Sequence, residues 1–219
     1  MTEYMADTYF KLPNYLTVDG RPVVLIWDSR SVFKASGGIE GFVDTLSRMN
    51  AVLHARGMED LYLVAVHGGV DHKEAGFAAS TGYGYYGVDF DSRYEWRGGF
   101  SVPYEDVVTH YETMWRGITK SLNLPYILPL GSSWDSRPRH GDRAAVITGR
   151  TPEKFRTMYR RSLNYIDKTS NMAIIEAWNE WGEGSFIEPD TEWGFDFLDV
   201  IREEFSEAST EHVDLMPTA

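Results

Sequence analysis

The chain has no cysteine, which excludes disulfides, thiolate metal sites and a cysteine nucleophile, and fits a reducing compartment. Basic residues are in the minority, with 21 Lys and Arg against 33 Asp and Glu, so the net charge is −12. That balance repels a phosphate backbone or an anionic membrane surface, and nucleic acid is not an expected partner. No stretch of about 18 apolar residues is present to span a bilayer. Nothing near Met1 has the basic-then-apolar order of a secretion signal, and the expected location is the cytoplasm. The six His lack HxH or HExxH spacing, and no metal or organic cofactor is expected.

What is present suits one globular domain. The 219 residues are 42% hydrophobic and 25% charged, the balance of a soluble protein with a sizeable core. The expected domain covers residues 1–205, with a polar, flexible tail over 206–219. Seven Trp and thirteen Tyr often stand beside Gly or Asp, where a strand would meet a loop. That placement suits a carbohydrate cleft, since an aromatic face covers the C–H face of a sugar while nearby carboxylates and amides bond its hydroxyls. Aromatics that simply fill a core are the alternative for any one of them.

Apolar runs and helical periodicities alternate along the chain. Val23–Asp28, Leu61–His67, Gly82–Val88, Tyr126–Leu130 and Met172–Trp178 are the expected strands. They are continuous rather than alternating, as when helices cover both faces of a parallel sheet. Helices are expected over 39–56, 104–121, 152–168 and 193–205, with a helix-permitting stretch near 71–79. Thr151-Pro152 supplies an N-cap and first-turn proline, and Gly57 lies just past a helix end. Five βα units describe a parallel α/β protein whose site forms at the carboxyl ends of the strands. A closed (β/α)8 barrel needs eight strands and about 250 residues, so either the sheet is open or the barrel is incomplete. With Gly82–Val88 taken as a strand, no GxGxxG or GxxxxGK[ST] fingerprint follows any strand.

The segment from Glu176 to Asp190 concentrates four Glu, two Trp and two Gly where the last strand leaves the sheet. Breaking or making a glycosidic bond asks for two carboxyl groups in different protonation states, and Glu180 and Glu183 supply such a pair. Three residues apart on a strand they would face opposite ways, but a turn eased by Gly182 and Gly184 lets both enter one cleft. Trp178 and Trp181 are expected to desolvate one carboxyl and raise its pKa. A solvated acidic loop and a magnesium site built from the carboxylates stay open as alternatives.

The stretch Ala-Trp-Asn-Glu-Trp-Gly-Glu-Gly-Ser-Phe-Ile-Glu-Pro-Asp, residues 177–190, resembles the closing motif of the WbsX-like polysaccharide-biosynthesis proteins. It is also similar to that of the family-99 glycoside hydrolases of the endo-α-mannosidase type. Val18-Asp19-Gly20-Arg21-Pro22-Val23, Trp134-Asp135-Ser136-Arg137-Pro138-Arg139 and Thr151-Pro152-Glu153-Lys154-Phe155 extend the resemblance over most of residues 14–200. It implies a TIM-type (β/α)8 barrel of which this chain holds strands four to eight. An incomplete barrel exposes two unpaired edges, to be covered by self-association or by another chain segment. The resemblance further implies that Glu180 acts as base on the sugar's own 2-hydroxyl, giving an anhydro-sugar, and that Glu183 is acid and then base. Asn179 orients a carboxylate or a sugar hydroxyl, and Glu188 either binds substrate or is a salt-bridged structural residue.

Trp134, Asp135, Tyr85, Asp89, Asp28 and His67 fall on the expected catalytic face, with loop cap, helix N-cap or core aromatic as alternatives. Arg137 and Arg139 either bind an anionic sugar group or pair with nearby acids. Three readings follow. The first is a retaining glycoside hydrolase acting on an oligosaccharide or polysaccharide, the second a glycosyltransferase of surface polysaccharide, and the third a non-catalytic carbohydrate-binding remnant.

Overall fold

The structure, a computed structural model, describes residues 1–84 and 100–207. Its strands are β1 (Thr17–Val18), β2 (Arg21–Ile26), β3 (Tyr62–Val66), β4 (Ala79–Thr81), β5 (Phe100–Pro103), β6 (Tyr126–Leu130), β7 (Ala145–Thr148), β8 (Ala173–Ile175), β9 (Asn179–Glu180) and β10 (Ser185–Phe186). The helices are α1 (Thr2–Met5), α2 (Ser29–Ala35), α3 (Ile39–His54), α4 (Tyr104–Ser121), α5 (Arg137–His140), α6 (Pro152–Ser162) and α7 (Asp196–Phe205). The chain forms two compact units.

The first unit comprises residues 1–83, 118–128 and 166–172. In it β1 pairs antiparallel with β2, while β2–β3, β3–β4 and β4–β6 are parallel. Neighbouring parallel strands thus follow sequence order, without the reversal that marks a doubly wound sheet. β3 is buried along its whole length, as its unbroken apolar run requires. Helix α3 lays Phe42, Leu46 and Leu53 against Leu61, Leu63 and Phe77, residues at helical spacing on one face. Gly57 takes φ 72° just beyond α3, and the N–H of Met58 closes back on the Leu53 carbonyl at 3.1 Å, a left-handed helix stop that glycine adopts without strain.

The second unit holds residues 84–117, 129–165 and 173–219. Here the end of β6 is followed in the sheet by β8, and the Glu176 N–H donates to the Leu130 carbonyl at 3.2 Å. Its core is aromatic, with Tyr104, Tyr111 and Trp115 of α4, Phe155 and Tyr159 of α6 and Phe197 of α7 all buried. Thr151 caps α6 through the Lys154 N–H, with Pro152 in the first turn, as the sequence indicates.

Two expectations change. The third strand is Ala79–Thr81 rather than Gly82–Val88; glycine contributes neither packing nor β preference, and the three residues Ala79–Thr81 are fully buried. Gly82-Tyr83-Gly84-Tyr85-Tyr86-Gly87 therefore has GxGxxG spacing directly after a strand. Gly84, at φ 60°, faces the Glu176 carboxyl, which would stand 3.7 Å from a Cβ added there. A pyrophosphate site needs donors at that point, not an acid. The excursion before α6 also carries β7, which pairs in parallel with β5. Short strands of four residues gave too little periodicity to stand out.

Candidate active site

The acidic segment folds as a hairpin in the second unit. β9 and β10 pair antiparallel, Glu180 opposite Ser185 and Asn179 opposite Phe186. One 3-10 turn, Trp181–Glu183, closes the loop, and Gly184 follows in the left-handed region at φ 63°. A Cβ at Gly184 would lie 2.7 Å from the Asp135 Cβ and 3.0 Å from its backbone nitrogen, so glycine is required twice over. Gly182 has open space around it and no positive φ, and nothing there demands glycine.

Glu180 ends β9 half-exposed, while Glu183 is 9% exposed. Arg139 of α5 forms an ion pair with the Glu183 carboxylate. The Asp135 N–H donates to the Glu183 carbonyl at 2.5 Å, and the Ile147 N–H to the Trp134 carbonyl at 2.7 Å. The first bond brings Asp135 to the hairpin, and the second ties Trp134 to β7. The Asp135 carboxylate takes the Arg137 Nε at 2.8 Å and the Arg137 backbone N–H at 3.0 Å. Burial pushes Asp135 upward, but those bonds outweigh it and its pKa lies below the usual carboxylate range. Of the two readings for Arg137 and Arg139, pairing with nearby acids is the one observed.

Trp178 and Trp181 are 50% and 46% exposed. Both indoles donate to one acid, Trp178 to Glu188 Oε1 at 3.2 Å and Trp181 to Glu188 Oε2 at 2.7 Å. Trp181 also stacks on Phe186, with centroids 3.7 Å apart. Glu188 is thus the anchor of an aromatic pair, and it has no ion pair among the described residues. Asn179 is exposed on β9.

The raised carboxyl belongs to Glu176, a residue given no role from the sequence. Burial pushes it to about 7, against a smaller downward pull from the Ser185 hydroxyl, and Glu183 and Glu180 each add repulsion. The signal available was an acid placed inside the apolar run Met172–Trp178, where an ordinary strand would carry none.

A cavity of about 340 Å³ adjoins the hairpin and is lined in part by Ser133, Asp135, Arg137, Thr148, Arg150 and Gly184. Neither Glu180 nor Glu183 lines it. Among the described residues no group of three or more metal-ligating side chains comes together, and no described helix is long and apolar enough to cross a membrane.

In the first unit Asp28 is the N-cap of α2, accepting the Ser31 N–H at 3.0 Å. His67 has φ 57° and sits edge-on to Trp27, whose ring lies 4.9 Å from that of Tyr83. Ser29 Oγ and His72 Nε2 are 2.7 Å apart. They are no nucleophile and base: both are buried, and His72 Nδ1 accepts the Gly69 N–H, which leaves the ring proton on Nε2 and makes His72 the donor. Tyr85 and Asp89 lie outside the described residues.

Parallel βα units with acids and exposed indoles gathered at a strand's carboxyl end are the arrangement of a barrel-class protein, in which sites form at that end. The model of the family "Glycosyltransferase WbsX" matches residues 1–201, and the chain belongs to that family. Among curated proteins it is similar to the uncharacterized protein WxcX of Xanthomonas campestris pv. campestris, at 24% identity. That match takes in 91% of this chain and 29% of the relative, so the chain spans less than a third of its length. Among solved structures it is similar to a glycoside hydrolase-like protein, with TM-score 0.61 and 20% identity over 94% of this chain and 60% of that one. It is also similar to the GH99 endo-α-mannosidase of Bacteroides thetaiotaomicron, with TM-score 0.57 and 17% identity over 93% of this chain and 62% of that one. These likenesses give the fold, an α/β, TIM-type parallel barrel of which the chain covers part.

Proposed function

We propose that the protein acts on glycosidic bonds of an oligosaccharide or polysaccharide through Glu180 and Glu183, with retaining hydrolysis as the reaction. The observation that carries this reading is the hairpin: Glu180 on β9 and Glu183 in the turn that follows it, beside exposed indoles fixed by Glu188. In this mechanism Glu180 takes the proton of the sugar's 2-hydroxyl as O2 attacks C1. Glu183 gives its proton to the departing oxygen, and the C1–O bond breaks. Water then opens the anhydro-sugar at C1, with Glu183 taking the water's proton and Glu180 returning one to O2. Arg139 holds Glu183 and would have to release it for protonation, a rearrangement that substrate entry supplies. Trp178 and Trp181 carry the C–H faces of the sugar, Asn179 bonds a hydroxyl, and Trp134 and Asp135 line the approach.

The family description supports a second reading, transfer to a growing surface polysaccharide, in which an acceptor hydroxyl replaces water. Glu180→Gln and Glu183→Gln should each lower kcat on a hydrolysed glycoside by at least about 10³-fold, the scale lost with a general acid or base, while circular dichroism stays unchanged. Rates within a few-fold of the parent in both variants would remove this proposal. Release of free sugar without an acceptor separates hydrolysis from transfer.

A further inference from the structure

The cavity of the second unit stands apart from the expected acids. Among the described residues its walls include β7, the segment that follows β6, and Gly184 and Phe186 of the hairpin. Its volume of about 340 Å³ lies at the small end of small-molecule sites, room for one sugar ring and not for two. Its charged groups are held before a ligand enters. Arg137 Nε lies 2.8 Å from both carboxylate oxygens of Asp135, and the Arg137 backbone N–H 3.0 Å from one of them, so the two charges cancel. Arg150 places its guanidinium carbon 3.6 Å from the centre of the Phe197 ring, and its Nη2 donates to the Phe186 carbonyl at 2.7 Å. Phe186 is taken up by the Trp181 ring at 3.7 Å and the Arg150 guanidinium at 5.1 Å, so a ligand here is gripped by hydrogen bonds rather than by stacking. Ser133 lines the cavity and is 6% exposed, and its hydroxyl makes no hydrogen bond among the described residues. A hydroxyl so placed calls for a partner. Thr148 lines the same space from an exposed position.

We propose that this cavity is a subsite for one neutral pyranose residue, recognised through its hydroxyls by Asp135, Ser133 and Thr148. The class of ligand rests on the carbohydrate reading above, whereas the place does not depend on the roles given there to Glu180 and Glu183. Three N–H groups of Arg137 occupy most of the roughly four acceptor positions of the Asp135 carboxylate, and what remains takes a hydroxyl proton. The Ser133 and Thr148 hydroxyls each donate one hydrogen bond and accept others, a pattern that sugar hydroxyls reciprocate. A phosphate or carboxylate offers acceptors alone and would meet the Asp135 carboxylate acceptor to acceptor. The Asp135–Arg137 pair, without net charge, gives such an anion no attraction. The cavity reaches the hairpin through Gly184 and Phe186 but not through Glu180 or Glu183. On the paired-Glu reading, the residue seated here is therefore a neighbour of the sugar whose bond breaks, and the glycan is read over more than one unit.

The test is a backbone-amide shift map of the full chain, labelled with ¹⁵N and titrated separately with the methyl pyranosides of glucose, galactose, mannose and rhamnose, with glucuronate and with inorganic phosphate. At least one neutral pyranoside should bind with a Kd on the order of 1–10 mM, the affinity of a single ring, and move the amides of Ser133, Thr148, Gly149 and Gly184 together. Thr148→Trp, which fills the cavity from its exposed side, should weaken that binding at least about tenfold. Ser133→Ala, which removes one hydroxyl and adds no bulk, should weaken it about fivefold. If no neutral pyranoside moves those amides, the proposal is overturned on the parent alone, whether or not the variants fold. Unaltered affinity in a folded Thr148→Trp overturns it as well. So does tighter binding of phosphate or glucuronate than of every neutral sugar, which would make the cavity an anion site. Turnover that survives in both Glu180→Gln and Glu183→Gln would defeat the paired-Glu reading and leave the shift map standing, so the two failures are distinguishable.

Discussion

Glu188 shows how one side chain organises several. With both oxygens taken by indole N–H groups, it links two half-exposed rings, one of which also stacks on Phe186. Glu188→Ala should weaken oligosaccharide binding about tenfold, or ~1.4 kcal/mol, and shift the tryptophan emission to longer wavelength. Glu188→Gln, which keeps one acceptor, should fall between. Calorimetry and fluorescence check both, and unaltered affinity in Glu188→Ala would deny the rings their role. Glu176 carries a second consequence, for stability. Its proton affinity is raised in the fold, to about 7 from 4.5, so its favourable contribution is complete below pH 4.5 and is lost as pH rises through 7. The loss is at most roughly 3 kcal/mol. Urea unfolding at pH 5 and pH 8 should therefore show the parent losing stability relative to Glu176→Gln, and equal losses in the two proteins would contradict the assignment.

Among the elements, the hairpin and the Trp134-Asp135 segment form one piece through Gly184. Gly184→Ala meets both a left-handed backbone and the Asp135 main chain, and should destabilise the protein by about 2 kcal/mol or more. Gly182→Ala, with open space around it, should stay within about 0.5 kcal/mol of the parent. Thermal unfolding of the two variants compares them directly. What the sequence made legible follows the same division. Long periodic stretches such as α3 and α4 declare themselves, and Thr151-Pro152 marks a helix start because capping is local chemistry. β4, by contrast, is three residues long and owes its strand state to parallel partners on both sides, one of which, β6, follows only after α4. Glu180 and Glu183 stand out by residue type, whereas the protonation logic of Glu176 depends on Ser185, Gly84 and burial, which only the folded chain assembles.

For the molecule as a whole, the net charge of −12 is self-repulsion that salt screens over about 10 Å at 0.1 M. Raising ionic strength from roughly 0.01 to 0.1 M should raise Tm, because exposed pairs such as Arg48–Asp44 contribute little. A fall in a differential scanning trace would instead assign the balance to the ion pairs around Glu112 and Glu204. The strand order of the first unit carries the fold-level lesson: neighbours accumulate in chain order, the ordering that a barrel needs and that apolar runs alone leave undecided. The clamp of two tryptophans on one acid has a last implication, for selectivity. Rings already held in place surrender little freedom when a ligand arrives, so discrimination among glycans falls to the spacing and tilt of two fixed planes. On the proposed reading, glycans whose flat faces match that geometry should bind more tightly than those that differ from it, whatever their hydroxyl pattern.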